Sequence, residues 1–431
     1  MPEPSTLPPH LADLIARRRP GYALEREFFA SDDLYRLEME RIWRASWIFA
    51  GHSCQLPEPG DYFTYEVDGD PIIIIRGDDR RIRALHNVCR HRGTIVCTED
   101  SGHAGRLVCP YHQWVYGRDG RLLGCRGMQE ELDTPEARAE LGLVPVRLEE
   151  VEGLIFISLA ADPPDFEEAR RELAPMLRPQ GFERARVAKI IDYEIRANWK
   201  LVWENNRECY HCNVNHPQYI KANFDHYNAD DTGARTREAI SKATARSEAK
   251  WASEGLAVTH RETGMTLFPD KQWFSINRTP LVDGYLSETM DGRAKAPLMG
   301  EYRDADVGTL RMRALPNFWN HSSCDHGVST RLTPAGRDLT RARVIWVVDR
   351  NAVEGKDYRL EDLLPFWQLT SEQDWRICEL AQRGISSSAY VPGPYSTYKE
   401  YNVDGFVRWY LRQVSGERRA PQEVPSPVAP R

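Results

Sequence analysis

The sequence lacks any long run of basic residues and any long run of apolar ones. Its formal net charge is -7 over 431 residues, so a nucleic-acid partner is not expected. The longest aliphatic run, Ile72–Ile75, is far too short to span a bilayer. Near the N-terminus, Arg17–Arg19 is followed by charged residues instead of the apolar stretch of a secretory signal. We therefore expect a cytoplasmic protein that binds neither nucleic acid nor a membrane.

Nucleotide-binding loops are also missing, and the cysteines do not suit a disulfide framework. The segment GRDGRLLG at 117–124 has the wrong spacing for a GxGxxG or Walker loop, so the chain should bind no nucleotide of its own. Nine cysteines are an odd number spread over a long chain. Reduced cysteines with histidines nearby point to metal binding instead.

The composition, 41% hydrophobic and 28% charged, is that of a globular protein, and a length of 431 residues suits two or three domains. We expect an N-terminal helical segment at 1–45 that packs on the larger domain, with Ser31 as a helix N-cap. Short β-rich runs broken by turn residues predict a compact antiparallel domain at 46–160. Residues 161–415 should form that larger domain, with an exposed helical insertion at 229–256 and a long helix from Leu360 to Gly384. The tail at 416–431 is expected to be disordered.

Two short motifs in the β-rich region combine a cysteine with a histidine. They read Cys89-x-His91 and, after seventeen intervening residues, Cys109-x2-His112. Two thiolates and two imidazoles can hold tetrahedral zinc or a [2Fe–2S] cluster of the Rieske type. Zinc sites usually pair like with like, whereas each motif here is mixed and would give one ligand of each kind. The spacing favours the cluster, with zinc and two unrelated Cys–His pairs as the alternatives.

A second constellation lies between Asn198 and Pro217. On a helix Glu208 and His211 would share a face, and Pro217 should end that helix before His216. Two imidazoles and a carboxylate from elsewhere would form the facial triad that holds Fe(II), although solvated or structural roles are common for such residues. Cys209 and Cys212 flank His211, and we expect both to be packed thiols.

Together these motifs resemble the large (alpha) subunit of the Rieske non-haem iron oxygenases. The resemblance rests on C-x-H…C-P-Y-H-x-W and on E-x-x-H-x4-H after NWK at 198–200. It implies an α+β fold, with a β-rich Rieske [2Fe–2S] domain and a START-like helix-grip catalytic domain. It also implies a [2Fe–2S] cluster held by Cys89, His91, Cys109 and His112.

The same resemblance implies a mononuclear Fe(II) held by His211, His216 and an aspartate on the late helix. Asp374, five residues before Glu379, matches that aspartate better than Asp362 or Asp357, which lie too early on the helix.

In the family, the acid at the position of Glu208 links the iron histidine to a Rieske histidine of a neighbouring subunit. This implies a homotrimer, with Glu208 and Asn205 as catalytic residues and His91 or His112 of a neighbour as the partner. A separate NAD(P)H-dependent flavin/iron–sulfur reductase would supply the electrons.

Two departures from the family narrow the expected substrate. Most ring-hydroxylating members have Asp at the position of Glu208 and Gly at that of Gln113. The glutamate and its surroundings resemble the glycine betaine and stachydrine demethylases, which implies N-demethylation of a quaternary ammonium compound with release of formaldehyde. Because such a cation has no N–H, aromatic faces should hold it. The candidates are Trp203, Tyr210, Phe318, Trp319 and His321.

Three other functions remain open at this point. An aromatic-ring dioxygenase or an O-demethylase of the same family would use every iron ligand named above. A Rieske protein that only transfers electrons would not need the second histidine pair, and a zinc-binding interaction module would contain no iron.

Overall fold

The computed structural model describes residues 7–128, 130, 132, 134–224, 233–258 and 273–416. It begins with helices α1 (Pro9–Arg17), α2 (Glu27–Ala30) and α3 (Asp32–Glu38), the last running on as a π-helix over Met39–Trp43. The predicted N-cap is confirmed, because Oγ of Ser31 accepts a hydrogen bond from the Leu34 N–H at 3.2 Å.

The region after this segment is built from two antiparallel sheets. Seven strands pair in the order β1-β10-β9-β4-β3-β2-β5, and three more in the order β6-β7-β8. A short helix α4 (Pro135–Ala139) follows β8. The strands are β1 (Ile48–His52), β2 (Asp61–Val67), β3 (Asp70–Arg76), β4 (Ile82–His86), β5 (Ser101–His103), β6 (Leu107–Val108), β7 (Trp114–Tyr116), β8 (Leu122–Cys125), β9 (Pro145–Val151) and β10 (Leu154–Ser158).

A third antiparallel sheet follows helix α5 (Glu167–Leu177), and its order is β11-β16-β15-β14-β13-β12. The strands are β11 (Ala185–Ile195), β12 (Phe274–Thr279), β13 (Thr309–Ala314), β14 (Phe318–Ser322), β15 (Gly327–Gly336) and β16 (Leu339–Asp349). Short 3-10 turns occur at Ser53–Gln55, Arg178–Gln180 and Phe182–Arg184.

The helices around this sheet carry the site. They are α6 (Trp199–Asn206), α7 (Cys212–Asn215), α8 (Pro217–Ala222), α9 (Ala234–Ser253), α10 (Leu360–Leu363), α11 (Pro365–Ile385) and α12 (Tyr401–Ser415). The predicted helix from Leu360 is thus interrupted at Leu364, because Pro365 begins a new helix. Gly384 lies within α11 and does not cap it.

Helix α9 lies in the insertion that was predicted to be exposed, but the helix is only partly exposed. Ile240 and Trp251 are buried, and the Trp251 indole N–H donates to the Asp306 carbonyl at 2.8 Å. Residues 229–232 of the predicted insertion and 417–431 of the predicted tail lie outside the described residues.

The α+β prediction is confirmed: the chain combines helices with antiparallel sheets, and the long helix α11 packs near the sheet that begins with β11. The N-terminal segment contacts α6 through a buried ion pair, in which Nζ of Lys200 lies 2.6 Å from Oε1 of Glu38. Across the described ranges, no helix is long and apolar enough to cross a membrane.

Candidate metal centres

The two Cys–His motifs fold into the same type of turn. In each, the cysteine N–H donates to the carbonyl five residues later, and the cysteine carbonyl accepts from the N–H four residues later. That fourth residue is Gly93 in the first turn and Gln113 in the second, with φ of +80° and +59°. A side chain in this left-handed region costs about 1–2 kcal/mol, which explains why glycine is favoured there and makes Gln113 a departure.

The turns bring the four predicted cluster ligands together. Cys89 and Cys109 are buried, and their thiols are hydrogen-bond neighbours, while burial raises the pKa of Cys109. The rings of His91 and His112 lie 4.7 Å apart. Nδ1 of His91 is buried and has no hydrogen-bond partner among the described residues. A paired set of thiols beside a paired set of imidazoles, one with an open nitrogen, fits a Rieske [2Fe–2S] cluster.

Tyr116 is a cluster neighbour that the sequence analysis did not identify. Its Oη accepts a hydrogen bond from the Arg90 N–H at 3.0 Å and lies 3.2 Å from Sγ of Cys89. A cysteine that binds a cluster has lost its S–H proton, so the phenol O–H would then be the donor to the sulfur.

The second constellation lies on turns between short helices. Helix α6 ends at Asn206, and Glu208 lies in the turn that follows, so the prediction that Glu208 and His211 share a helix face is wrong. His211 is the N-cap of α7. Helix α7 ends at Asn215, so the predicted stop before His216 is confirmed.

Both histidines face Asp374 on α11. Oδ1 of Asp374 lies 3.2 Å from Nε2 of His211 and 2.9 Å from Nε2 of His216. Asp362, one of the two rival aspartates, is by contrast exposed on α10. Two imidazole nitrogens converging on one carboxylate oxygen are the donor set of a non-haem Fe(II) site.

The remaining ring nitrogens are also bonded, which fixes each imidazole. Nδ1 of His211 lies 2.5 Å from Oε1 of Glu208, and Nδ1 of His216 lies 2.8 Å from Oε1 of Gln373. Such contacts hold the tautomer in which Nε2 is the metal-binding nitrogen. Gln373 was not anticipated, although its place directly before Asp374 is a usable signal. Asn205 approaches from α6, with Nδ2 3.4 Å from Nε2 of His211.

The electrostatics of this cluster favour a cation. Burial lowers the pKa of His211, but hydrogen bonds to Asp374 and Glu208 outweigh it and raise the pKa to about 10. Burial likewise opposes ionisation of Asp374, yet the contacts with both histidines hold its pKa below the ordinary value. Two carboxylates around the imidazoles therefore attract positive charge, which fits Fe(II).

The cysteines that flank His211 correct a prediction. Cys209 and Cys212 form a disulfide and are not separate packed thiols, whereas the other seven cysteines are free. The turn that follows α6 places their Cα atoms 5.0 Å apart, within the range that a disulfide spans. The helical spacing assumed from the sequence does not apply to this turn.

Two adjoining cavities open beside Asp374. The inner one is lined by three tryptophans, Trp319, Trp367 and Trp375. The outer one reaches the iron-ligand candidates and is also lined by Arg311 and Arg313. Five residues of α11 at positions 367, 370, 371, 374 and 375 line the inner cavity, and this is the spacing of one helix face. The helical spacing of these positions could have identified, from the sequence, the face of α11 that carries Asp374.

The structure separates the five predicted substrate contacts into two groups. Trp319 and His321 line the inner cavity. Phe318 does not, because alternate residues of β14 face opposite sides of the sheet, and it packs on Phe49 with ring centroids 4.1 Å apart. Trp203 is fully buried and donates its indole N–H to the Pro316 carbonyl, whereas Tyr210 is 54% exposed. The last three residues therefore lie outside the described cavities.

Sequence comparisons match both regions of the chain to known families. The profile of the Rieske [2Fe-2S] domain matches residues 46–138, and that of the ring hydroxylating alpha subunit (catalytic domain) matches residues 182–416. The chain is similar to the glycine betaine monooxygenase oxygenase subunit of Chromohalobacter salexigens. The two are 40% identical over 401 residues, which cover 93% of this chain and 87% of that protein.

Solved structures share the fold. A quaternary ammonium Rieske monooxygenase matches with a TM-score of 0.69 and 22% identity, over 95% of this chain and 100% of that one. Naphthalene 1,2-dioxygenase from Rhodococcus sp. matches with a TM-score of 0.64 and 20% identity, over 96% and 100%.

The sequence matches span both metal regions, and the similarity to a named oxygenase subunit covers most of the chain. The family supplies a Rieske cluster and a mononuclear iron, which agrees with the two donor sets described above. The chain therefore belongs to the alpha subunits of the Rieske non-haem iron oxygenases, and it is an oxidoreductase.

Proposed function

We propose that this chain is the oxygenase component of a monooxygenase that removes a methyl group from a betaine-like quaternary ammonium compound. The observation that carries the proposal is the inner cavity, where Trp319, Trp367 and Trp375 lie beside Asp374. Aromatic faces stabilise a cation that has no N–H to donate, by about 0.5–2 kcal/mol for each favourable contact. The similarity to a glycine betaine monooxygenase oxygenase subunit supports the choice.

His321 completes a wall that does not repel a cation. Its ring centroid lies 4.2 Å from that of Trp367. Burial, followed by the fields of Arg311 and Arg313, lowers the pKa of His321 well below its ordinary value. The imidazole is therefore neutral at physiological pH and adds no positive charge to the inner cavity that it lines.

The iron ligands follow from the two donor sets. Cys89, His91, Cys109 and His112 would hold the [2Fe–2S] cluster. His211, His216 and Asp374 would hold the mononuclear Fe(II), which when bound supplies activation of O2 for insertion of one oxygen atom into a C–H bond.

The chemistry proposed for the substrate balances as follows. Hydroxylation of one N-methyl group consumes O2, two electrons and two protons and also yields water. The C–N bond of the hydroxymethyl ammonium then breaks, releasing formaldehyde, a proton and the tertiary amine. Asn205 and His321 line the cavity where this methyl group would lie.

The electrons are proposed to come from a separate NAD(P)H-dependent flavin/iron–sulfur reductase in the cytoplasm. In the described part of the chain, the hydrogen bonds of Glu208 go to Tyr210 and His211, and none reaches His91 or His112. We infer that Glu208 meets His91 or His112 of a neighbouring copy in a homotrimer. The domain limits of 1–45, 46–160, 161–415 and 416–431 are part of the same proposal.

Mixed oligomers test whether electrons pass from the cluster of one copy to the mononuclear iron site of another. Chains carrying Asp374→Ala would keep the cluster, and chains carrying Cys109→Ser would keep the mononuclear site, so neither alone should turn over. Mixed oligomers form when the two variant chains are expressed together or refolded together. These mixed oligomers should regain part of the wild-type rate. Activity that stays at the sum of the two separate variants would contradict electron transfer between copies.

A second candidate function is aromatic-ring dioxygenation or O-demethylation. The tryptophan-lined cavity would also accept a flat ring, and naphthalene 1,2-dioxygenase shares the fold. Formaldehyde release separates the candidates when a surrogate reductase is supplied with a panel of quaternary amines, methoxy-aromatics and naphthalene. The proposal expects formaldehyde from one or more quaternary amines. A cis-diol from naphthalene, or formaldehyde from methoxy-aromatics alone, would favour the second candidate.

A further inference from the structure

The sheet register places two arginines on the face that forms the cavities. On β13, Arg311 is paired with His321 of β14, and Arg313 is paired with Trp319. Side chains two residues apart on a strand face the same side. His321 and Trp319 line the inner cavity, so Arg311 and Arg313 share their side of the sheet, and both line the outer cavity.

The two cavities share several lining residues but differ in the chemistry of the others. They share six residues: Asn205, Asn206, His321, Trp367, Thr370 and Asp374. The inner cavity has a tryptophan-rich wall, and the outer one adds the guanidinium groups. An aromatic compartment and a cationic compartment therefore adjoin at Asp374.

Side-chain amides are among the partners of both guanidinium groups. Nη2 of Arg311 donates to Oδ1 of Asn223 at 2.8 Å, and Nε of Arg313 donates to Oδ1 of Asn206 at 3.0 Å. The buried Glu288 lies near Arg311: burial raises the pKa of Glu288, and the charge of Arg311 opposes that shift. The arginines are thus held in place on the wall of the cavity.

His321 lies between the two compartments and has an unused polar atom. The residue is 6% exposed, and its Nδ1 has no hydrogen-bond partner among the described residues. A buried polar nitrogen without a partner costs about 1–3 kcal/mol. An anion bound beside the arginines would provide a partner for it.

The geometry points to a carboxylate subsite formed by Arg311, Arg313 and His321. The substrate is then a zwitterion, whose quaternary ammonium lies against the tryptophans and whose carboxylate lies against the arginines. This inference rests on the proposed function and deepens it, because it selects amino-acid betaines over quaternary alcohols such as choline. Guanidinium groups suit the role because their fixed fork matches a carboxylate.

Two probes isolate the carboxylate. Glycine betaine and choline share the trimethylammonium group, and only glycine betaine carries a carboxylate. Calorimetric titration of the iron-loaded protein should give a Kd for glycine betaine at least about tenfold below that for choline. Arg311→Gln and Arg313→Gln should each raise the Kd for glycine betaine by about ten- to a hundredfold. Binding of choline should stay the same or become tighter, because a positive charge has been removed.

Controls separate a local effect from a general loss of charge or fold. Arg341 also lies on this sheet but is largely exposed beside Glu194, so Arg341→Gln should bind both probes like the wild type. Arg311→Lys keeps the charge and should retain part of the preference. Arg207 also lines the outer cavity, and a loss confined to Arg207→Gln would overturn the assignment to Arg311 and Arg313.

The comparison in the wild type keeps the inference testable even where a variant fails to fold. Equal Kd values for the two probes, with formaldehyde released from both, would overturn the carboxylate subsite and leave the proposed function intact. Release of formaldehyde from no quaternary amine would overturn the proposed function itself. Equal losses for both probes in the arginine variants would indicate a structural role and also contradict the subsite.

Discussion

Oε1 of Glu208 lies 2.5 Å from Nδ1 of His211, while Nε2 of the same ring faces Asp374. The carboxylate therefore orients the imidazole from the side opposite the proposed iron. Glu208→Gln removes the charge but keeps the shape, so both metals should be retained while turnover coupled to electron supply falls by about ten- to a hundredfold. Glu208→Asp, which keeps the carboxylate, should recover part of the rate.

The check on Glu208 is steady-state turnover measured beside iron content and the cluster absorption. Wild-type rates in Glu208→Gln would discard its bridging role. Loss of iron in the same variant would show instead that Glu208 acts by holding His211 for the metal.

The hydrogen bond from Tyr116 to Sγ of Cys89 predicts an effect on the Rieske potential. A donor to a cysteine ligand stabilises the reduced cluster, which carries more negative charge. Tyr116→Phe should therefore lower the midpoint potential by on the order of tens of millivolts. Protein-film voltammetry measures the shift, and Tyr358→Phe, a buried tyrosine outside the Rieske region, serves as the control. An unchanged potential would mean that the phenol proton is directed elsewhere.

The buried pair of Glu38 and Lys200 predicts a large stability effect. Both side chains are essentially unexposed, and Glu38 also accepts hydrogen bonds from Trp199 and Tyr410 at 2.8 Å and 2.7 Å. Lys200→Met leaves a buried carboxylate without its cation, which should lower the free energy of unfolding by about 3–5 kcal/mol. Urea unfolding, monitored by tryptophan fluorescence, measures the free energy of unfolding of the variant and the wild type.

An exposed pair provides the matched control for that experiment. Lys242 and Glu238 form an i,i+4 pair whose side chains are 75% and 64% exposed. Lys242→Met should change the free energy of unfolding by less than about 1 kcal/mol. Similar losses in the two variants would show that burial does not govern the Glu38–Lys200 pair.

Glu204 predicts a pH dependence of stability. Burial raises the pKa of this carboxyl from its ordinary 4.5 to about 8. Between these values the folded chain keeps a proton that the unfolded chain has released, so stability falls as pH rises. The contribution is fully present below pH 4.5 and is lost as pH approaches 8.

Glu204→Gln removes this titration and should flatten the decline between pH 5 and 8, because a glutamine side chain carries no ionisable proton. The unfolding midpoint of the wild type and the variant, measured across that range, gives the difference directly. Glu58, whose side chain is 65% exposed, offers a control in which Glu58→Gln should leave the wild-type profile unchanged. Parallel profiles for wild type and Glu204→Gln would contradict the account of Glu204.

The structure brings the predicted metal-ligand residues together, but their local geometry differs from the prediction. Spacing indicated the two Cys–His motifs, because a cluster needs thiolates and imidazoles close together, and Asp374 was named only through the family resemblance. The turn after α6 could not be predicted from the helical spacing of Glu208 and His211. Its shape depends on where α6 ends, and that shape also brings Cys209 and Cys212 into a disulfide.

The structure places only two of the five predicted substrate contacts on the inner cavity, for a physical reason. Phe318 and Trp319 are equally aromatic, yet only Trp319 lines the inner cavity, because neighbouring strand residues face opposite sides. Which side faces the cavity depends on the position of α11, more than forty residues later in the chain. Arg311 and Arg313 were not named from the sequence, because their place on this face follows from the pairing of β13 with β14.

The measurement closest to the central claim is the iron content of Asp374→Ala beside that of the wild type. A loaded wild-type chain should hold about three irons, two in the cluster and one held by His211, His216 and Asp374. Asp374→Ala should hold about two, with the Rieske EPR signal of the reduced protein unchanged. A variant that keeps the third iron and normal turnover would contradict the assignment of Asp374 as the carboxylate ligand.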